Sequence, residues 1–599
     1  MSSPAAVPAA ARTAGRITAW TLGVVLILAA VGAAWIGIRA GAAYGHLRAA
    51  QQTAEGAAEA LSDPSAAAAL VSSLSDDTRA ARELTSDPVW RAAEGLPWVG
   101  PQLQAVAVVS AAIDDVASTS LTPLADVAAG FSVDALRPVD GRIDLAAFTS
   151  LQEPASTGAE GLAAASDAVA GIDRAPLLGP VRDAVDEVSG TLETAAQTTD
   201  ALSRAVTLLP AMLGADGPRD YLVVFQNNAE WRSLGGIVGA MSVIHTDGGT
   251  LSLAAQGSSS DFPTYPEPVL DIGPDLVGIY GTQPARWIQN VTQVPDFSLS
   301  GQLAREMWLR ETGTEVDGVI ALDPVALSYL LQATGPVDLP TGEQLTADNA
   351  VDLLLNGVYL RYERPADQDA FFAAAAAAVF QKLASGGADP TALVAALGRA
   401  GDERRLQLWS AHDDDQAVLA GTTLVGPLPI DDETQRGFGV YLNDGTGSKM
   451  DYYATATPTL TWDTCTRTDD DRASGTLTLT VTITNDAPAD AATSLPDYIT
   501  GGGGFGVEPG LAKTVGYLYL PENAVLTDAT LSDGGGFGGG FHDGRQVMSF
   551  STLLAPGQST TATLTVRLDD PGAATATLWM TPTADADVPT SFAAACPSA

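Results

Sequence analysis

The chain has 599 residues, 46% of them apolar and 17% charged, with a formal net charge of −41. A chain longer than about 250–300 residues outgrows a single hydrophobic core, so several folded units are expected. The acidity excludes a duplex-binding surface, which needs clustered Lys and Arg on phosphates, and nucleic acid is not an expected partner.

In chain order, the first element is an uncharged run, Ile17–Ile38. At about 1.5 Å per residue it crosses a hydrocarbon core of about 30 Å. Trp20 and Trp35 sit near its ends, where indoles favour the interface. Arg12 and Arg16 precede it and Arg39 and Arg48 follow, so arginine count does not fix orientation. The short tail 1–16 favours a single-pass anchor in the cell membrane, N-terminus inside and the bulk extracytoplasmic. A cleaved signal peptide is the alternative, with Ala40-Gly41-Ala42 as a small-x-small site. Signal peptides, however, carry shorter apolar regions of about 7–15 residues.

Residues 42–213 are Ala-rich with helical spacing, punctuated at Asp63-Pro64, Asp87-Pro88, Pro97, Pro138 and Pro176. Pro97-Trp98-Val99-Gly100-Pro101 followed by Ala105-Val106 is echoed by Pro176-Leu177-Leu178-Gly179-Pro180 followed by Ala184-Val185. In each copy a Gly-Pro turn launches an apolar helix. The region reads as a helical stalk or bundle.

Periodicity changes near Arg219. Tyr221–Phe225 and Gly239–His245 read as strands, and Thr246-Asp247-Gly248-Gly249 as a hairpin turn into Leu251-Ser252-Leu253. Helices are expected at Ser300–Glu311, Pro324–Ala333, Ala347–Leu360 and Asp369–Leu383, with Gly318–Leu322 a buried strand. This mixture gives an α/β head over 214–411. Residues 412–454, rich in Asp, Gly and Pro in their first part, read as a linker or continuation of the head. From 455 to 599 the chain reads as β. Thr476–Thr484 alternates Thr with aliphatic residues, and several such strands between Gly and Pro turns suggest an immunoglobulin-like β-sandwich. Gly501–Gly504 and Gly534–Gly540 read as loops. Cys465 and Cys596, the only cysteines, bracket that region and read as a disulfide of an oxidising compartment.

The densest polar cluster is Arg219-Asp220 before the first strand, then Gln226-Asn227-Asn228, Glu230 and Arg232, expected just after it, where α/β domains commonly build sites. Gly235-Gly236 and Gly239 read as a tight turn or bulge, because a strand rather than a helix N-terminus follows. His46, His245, His412 and His542 are scattered, and no Cys/His spacing suggests zinc. Asp413-Asp414-Asp415 and Asp469-Asp470-Asp471 lack EF-hand spacing and read as solvated acid. No metal site is expected from spacing.

Arg219–Ala240 (RDYLVVFQNNAEWRSLGGIVGA) resembles the opening of the actinobacterial family called domain of unknown function 4012. Val316–Pro324, Thr334-Gly335-Pro336-Val337, Gly439–Asp444 and Ser448–Tyr453 continue the resemblance. The order of elements is also similar, more distantly, to the LytR–CpsA–Psr envelope enzymes, which move glycans from polyprenyl diphosphate onto peptidoglycan with a divalent metal. That similarity implies roles for Asp220, Asp261, Tyr359-x-Arg361 and Asp369. The chain departs from the pattern in two places. Gly257-Ser258-Ser259-Ser260-Asp261 replaces an Ile-Pro-Arg-Asp stretch, and Ala370, Phe371 and Phe372 stand where arginines are expected.

The candidate anion- or ligand-binding set is therefore Arg219, Asp220, Asn227, Glu230, Arg232, Asp261, Tyr359, Arg361 and Asp369. The first reading is a membrane-anchored envelope protein that binds or organises envelope components, with an envelope glycopolymer or polyprenyl-linked glycan as partner. The second is a divergent glycopolymer phosphotransferase, which alone would need a divalent cation. The third is an adhesion or scaffold module led by the sandwich. Convergence of Arg219, Arg232 and Arg361 in one pocket would favour the second.

Overall fold

The computed structural model describes residues 9–60, 64–123, 137–139, 141–468 and 472–597. Asp63 and the acidic run 469–471 lie outside these. The chain divides into two compact units, 1–132 with 146–207, and 133–145 with 208–599.

The first unit is helical. The apolar run lies in α1 (Ala9–Ala60), which is long and apolar enough to cross a membrane. α1 continues unbroken past Ala40-Gly41-Ala42, so the apolar run and the first helix of the stalk are one element. α2 (Pro64–Thr85), α3 (Pro88–Glu94), α4 (Gly100–Asp115), α5 (Leu145–Ala170) and α6 (Gly179–Met212) follow. Prolines mark their starts as expected: Asp87 caps α3 with Pro88 in its first turn, and Gly100-Pro101 and Gly179-Pro180 open the two echoed helices. Ala105, Val109 and Val116 pack with Leu162, Val169, Val185 and Leu192 in one core.

The second unit opens with β1 (Arg219–Arg232), β2 (Gly235–Asp247) and β3 (Thr250–Ser258), joined by hairpins. α7 (Pro274–Tyr280) and α8 (Phe297–Thr312) cross over to β4 (Gly318–Leu322), which pairs parallel with β1 from Tyr221↔Gly318 to Phe225↔Leu322. α9 (Pro324–Thr334) and a two-residue hairpin, β5 (Val337–Asp338) and β6 (Gln344–Leu345), come next. The helix expected at Ala347–Leu360 is present as continuous helical backbone over 350–361, with a π-helical stretch at Leu353–Gly357 between Ala350–Asp352 and Val358–Arg361. α10 (Pro365–Ala384), α11 (Pro390–Asp402) and β7 (Leu406–Ser410) complete a five-stranded sheet of order β3-β2-β1-β4-β7.

The remaining strands are β8 (Arg436–Asp444), β9 (Ala454–Arg467), β10 (Arg472–Asn485), β11 (Ala512–Tyr519), β12 (Val525–Leu531), β13 (Gly538–His542), β14 (Arg545–Leu554), β15 (Ser559–Ala573), β16 (Thr575–Met580) and β17 (Ser591–Ala595). They form two sheets, β12-β15-β10-β9 and β13-β14-β11-β8-β16-β17. The aliphatic face of β10 (Leu477, Leu479, Val481, Ile483) packs against Phe438, Val440, Leu442, Leu518 and Leu578 of the other sheet. Cys465 of β9 is bonded to Cys596, with Cα atoms 5.9 Å apart.

Two differences from the sequence reading matter. β1 does not stop at Phe225, and the polar cluster expected after the strand lies within it. Segment 412–454 carries β8, an interior strand of the six-stranded sheet. The two regions share their interior: Trp231 of β1 is buried among the residues between the two sheets, and Tyr441, Tyr517 and Tyr519 join the core of the α/β layer. Among smaller points, Gly534–Gly540 is partly strand, as β13 begins at Gly538.

Candidate ligand-binding cleft

The β1–β4 pairing ends at Phe225↔Leu322, and β4 then gives way to α9, whose N-cap is Asp323. β1 runs on without that neighbour, with register shifts after Phe225 and between Asn227 and Trp231. A cleft of about 610 Å³ opens in the gap. It lies beyond the carboxyl end of β4 and of its parallel pairing with β1, the side on which open α/β sheets commonly hold ligands. Its walls include Phe225, Trp287, Leu327, Tyr359, Phe372, Tyr498 and Phe505, and its polar groups include Asn227, Glu230, Arg232, Asp369 and Lys449.

At its inner end Glu230 stands between two cations. Arg232 Nη2 donates to Glu230 Oε1 at 2.8 Å, and Lys449 Nζ donates to Glu230 Oε2. In a strand, residues i and i+2 share a face, so Glu230 and Arg232 meet because β1 is extended there. Arg232 also donates to Asn290 Oδ1 (3.0 Å) and to its neighbour's carbonyl, Trp231 O (2.8 Å), which fixes its plane. Burial disfavours the Lys449 ammonium, but Glu230 together with the Tyr359 and Tyr498 hydroxyls outweighs it and holds its pKa above the ordinary value. Asn227 Nδ2 donates to the Tyr359 hydroxyl, and Tyr359 stacks on Tyr498 with centroids 5.3 Å apart. At the other side Ser260 Oγ donates to Asp369 Oδ2 at 3.2 Å.

Behind this wall lie two more buried acids. Asp451 Oδ2 accepts from Trp231 N at 2.8 Å and Asp444 Oδ2 accepts from Thr446 N at 2.8 Å. Burial, reinforced by Glu230, pushes the Asp444 carboxyl up to about 7. Burial and then Asp444 hold Asp451 well above the carboxylate range. For Asp444 the folded chain keeps a proton that the unfolded chain releases. Its contribution to stability is full below about pH 4 and is lost as pH rises through about 7. Repulsion in so acidic a chain gives a background slope of the same sign. The expected result is therefore a difference: between about pH 4 and pH 8 the melting temperature of Asp444→Asn should fall less steeply than that of wild type. Parallel slopes would remove Asp444 from the account.

Of the nine residues selected from sequence, Asn227, Glu230, Arg232, Tyr359 and Asp369 line the cleft. The other four are engaged elsewhere. Arg219 pairs with Asp415 at 3.2 Å, Asp220 with His245 at 2.9 Å, and Arg361 with Glu343. Asp261 Oδ2 accepts from Ser258 N at 2.8 Å and closes a capping box. Arg219, Arg232 and Arg361 thus occupy three separate ion pairs and do not converge. Tyr359 and Arg361 are two apart on a helical turn, where such residues face different ways. Asp413, Asp414 and Asp415 sit in the first turn of a short helix, where carboxylates are stabilised by its dipole. Among the described residues no group of three or more His, Cys, Asp or Glu is arranged to hold a metal. Gly235 and Gly236 open β2 at the turn, and a Cβ on Gly236 would overlap the Asn227 carbonyl.

Lys449 was missed as a site residue. Its signal was available: it is one of three lysines in the chain, inside the Ser448–Tyr453 stretch.

Residues 216–359 match a family model described as Protein of unknown function (DUF4012). The match supports a place for this chain among DUF4012 proteins. It begins just before β1 and ends on Tyr359, so the DUF4012 segment carries the β1 wall of the cleft, while Lys449, Tyr498 and Phe505 come from outside it. No curated protein and no solved structure matches the chain.

Proposed function

We propose that this is a single-pass, membrane-anchored, extracytoplasmic protein of the cell envelope that binds an envelope component in the β1 cleft. The observation that carries the reading is the cleft itself: aromatic and aliphatic walls with a few fixed polar groups at one end, the general form of a small-molecule site. Its inner end holds two cations, Arg232 and Lys449, against the Glu230 side chain, which suits a ligand with an apolar body and a compact acidic or hydroxylated group. A polyprenyl-linked glycan has that character. The two packed sheets serve in this reading as an immunoglobulin-like support, contributing Lys449, Tyr498 and Phe505 to one wall. The phosphotransferase reading needs a cluster of arginines for a diphosphate. Arg219 and Arg361 are committed to Asp415 and Glu343, so binding is the favoured reading.

Ala376 lines the cleft, and Ala376→Trp places an indole in it to obstruct a ligand. Full-length protein equilibrated with an envelope lipid extract and examined by native mass spectrometry is expected to retain an added mass that Ala376→Trp loses. No added mass on wild type, or the same mass on both, overturns the cleft reading. A reporter fused to the C-terminus tests topology separately: activity in the cytoplasm would overturn the extracytoplasmic placement.

A further inference from the structure

Exposed apolar residues are ordinary when scattered, but a contiguous group needs a partner. The helical unit carries one. Leu96, Trp98 and Val99 are exposed in the turn between α3 and α4, and Leu178 is exposed just before α6. Trp98 is 88% exposed and Leu178 64%. These are the two echoed Pro-x-x-Gly-Pro turns, and the structure sets them side by side. Gln102 Nε2 donates to Pro176 O at 2.8 Å, and Gln102 Oε1 accepts from Leu178 N at 2.9 Å. Trp98 has a left-handed backbone, φ 66°, a setting uncommon for a bulky residue. Gly95 to Pro101 and Ala175 to Val181 contain no charged residue, in a chain of net charge −41.

The position of this patch along α1 identifies its partner. α2 runs back along α1: His46 meets Asp77 at 2.8 Å, while Arg39 meets the Leu84 carbonyl and the Asp87 carboxylate, each at 2.9 Å. α4 reverses again. Asp114 near its end meets Arg82 at 3.2 Å, whereas Leu103 near its start packs with Trp90 against Ile36 and Ala40. Going backward from Leu103, the chain therefore moves further toward the apolar part of α1. That direction carries the Trp98 turn toward the residues before Ile36, in the run Ile17–Ile38, and Gln102 holds the Leu178 turn beside it. Trp35 is exposed at the same end, with the Arg39 guanidinium 5.3 Å from its ring centre.

We propose that the Pro97–Pro101 and Pro176–Pro180 turns form an apolar foot that enters the outer leaflet of the bilayer beside α1 and fixes how the helical unit stands on the membrane. Indoles at the interface and packing against neighbouring helices set the tilt and rotation of a spanning helix, and the Trp98 turn supplies both. The turn residues themselves are uncharged, so apolar burial and not anionic lipid drives the insertion and salt has little effect on it, although Arg182 reaches the Leu177 carbonyl at 3.1 Å. The inference rests on the membrane-anchor reading of α1.

The test uses full-length protein in phosphatidylcholine nanodiscs, labelled with an environment-sensitive fluorophore at one introduced cysteine under non-reducing conditions. Val99→Cys and Leu178→Cys report on the foot, Leu28→Cys on the span, and Thr194→Cys on the exposed outer part of α6. The expected result is blue-shifted emission at Val99→Cys and Leu178→Cys, strongly quenched by doxyl-labelled lipid as at Leu28→Cys and unchanged by salt. Thr194→Cys is expected to be quenched only by aqueous iodide. If Leu28→Cys is lipid-quenched while both foot positions are open to iodide, the foot is overturned and the anchor stands. If Leu28→Cys is itself open to iodide, the anchor reading fails and the foot with it. Foot labels shielded from iodide yet unreached by doxyl lipid would mean that protein covers them, which also overturns the proposal.

Discussion

Glu230→Ala is expected to lower the stability of the 208–599 unit by about 3–5 kcal/mol, the cost of stranding buried charge without its partner. The side chains of Glu230, Arg232 and Lys449 are 3%, 7% and 9% exposed. Removing the Glu230 carboxylate leaves Arg232 and Lys449 facing each other with little water to screen them and only Asp444 and Asp451, behind the wall, to offset them. Lys449→Met is the informative comparison, because it deletes a cation while leaving Glu230 paired with Arg232. It should cost clearly less, and the double variant less than the sum of the two single changes. Urea midpoints of the three variants measure this directly. A loss below about 1 kcal/mol for Glu230→Ala, the scale of an exposed ion pair, would show that water reaches the cluster.

The same cluster shows what could and could not be read from sequence. The alternation of Thr and aliphatic residues in Thr476–Thr484 announced β10 and its two faces, because a strand with one wet side has that pattern and no other element does. The parallel strand Gly318–Leu322 and the α8 and α9 helices were equally legible from apolar runs and spacing. The second half of β1 was not. Gln226 to Arg232 is mostly polar, so it reads as the end of a strand, whereas in the fold Glu230 is satisfied both by Arg232 two residues on and by Lys449 far along the chain. Lys449 is 219 residues from Glu230, and local pattern carries no trace of such a pairing.

β8 was hidden for a different reason. Gly437 and Gly439 make it look like loop, yet both are required by close packing. A Cβ on Gly439 would lie 2.6 Å from the Tyr441 ring, and one on Gly437 would overlap the Ile430 carbonyl. Site residues followed the same division. Glu230 and Arg232 converge because extended backbone puts i and i+2 on one side, while Tyr359 and Arg361 diverge because helical backbone does not. Knowing the local conformation was the condition for knowing which pairs could act together.

Opening the Cys465–Cys596 bridge is expected to have the other large effect. Its partners are separated by 131 residues. In the chain-entropy model a loop of that length restrains the unfolded chain by about 5 kcal/mol, less any strain in the native bond. The bridge also has a local task. β9 is the edge of the four-stranded sheet and β17 the edge of the six-stranded one, and β17 pairs only with β16, over five residues from Thr575↔Ala595 to Trp579↔Ser591. Without the bridge, β17 and Cys596 keep the Trp462 Nε1 bond to Ala594 O (3.1 Å), the Arg467 Nη1 bond to Cys596 O (3.2 Å) and the Cys596 N bond to Ala574 O (2.8 Å). These are single bonds at the rim of the sheets, each worth about 0.5–1.5 kcal/mol net. Cys465→Ser with Cys596→Ser should therefore reduce the urea midpoint and speed amide exchange first in β17 and then in β16. Thiol labelling of the unreduced, denatured wild type should find no reactive cysteine. Two reactive thiols, or an unchanged midpoint in the double variant, would show that the two sheets hold their shared edge without the bond.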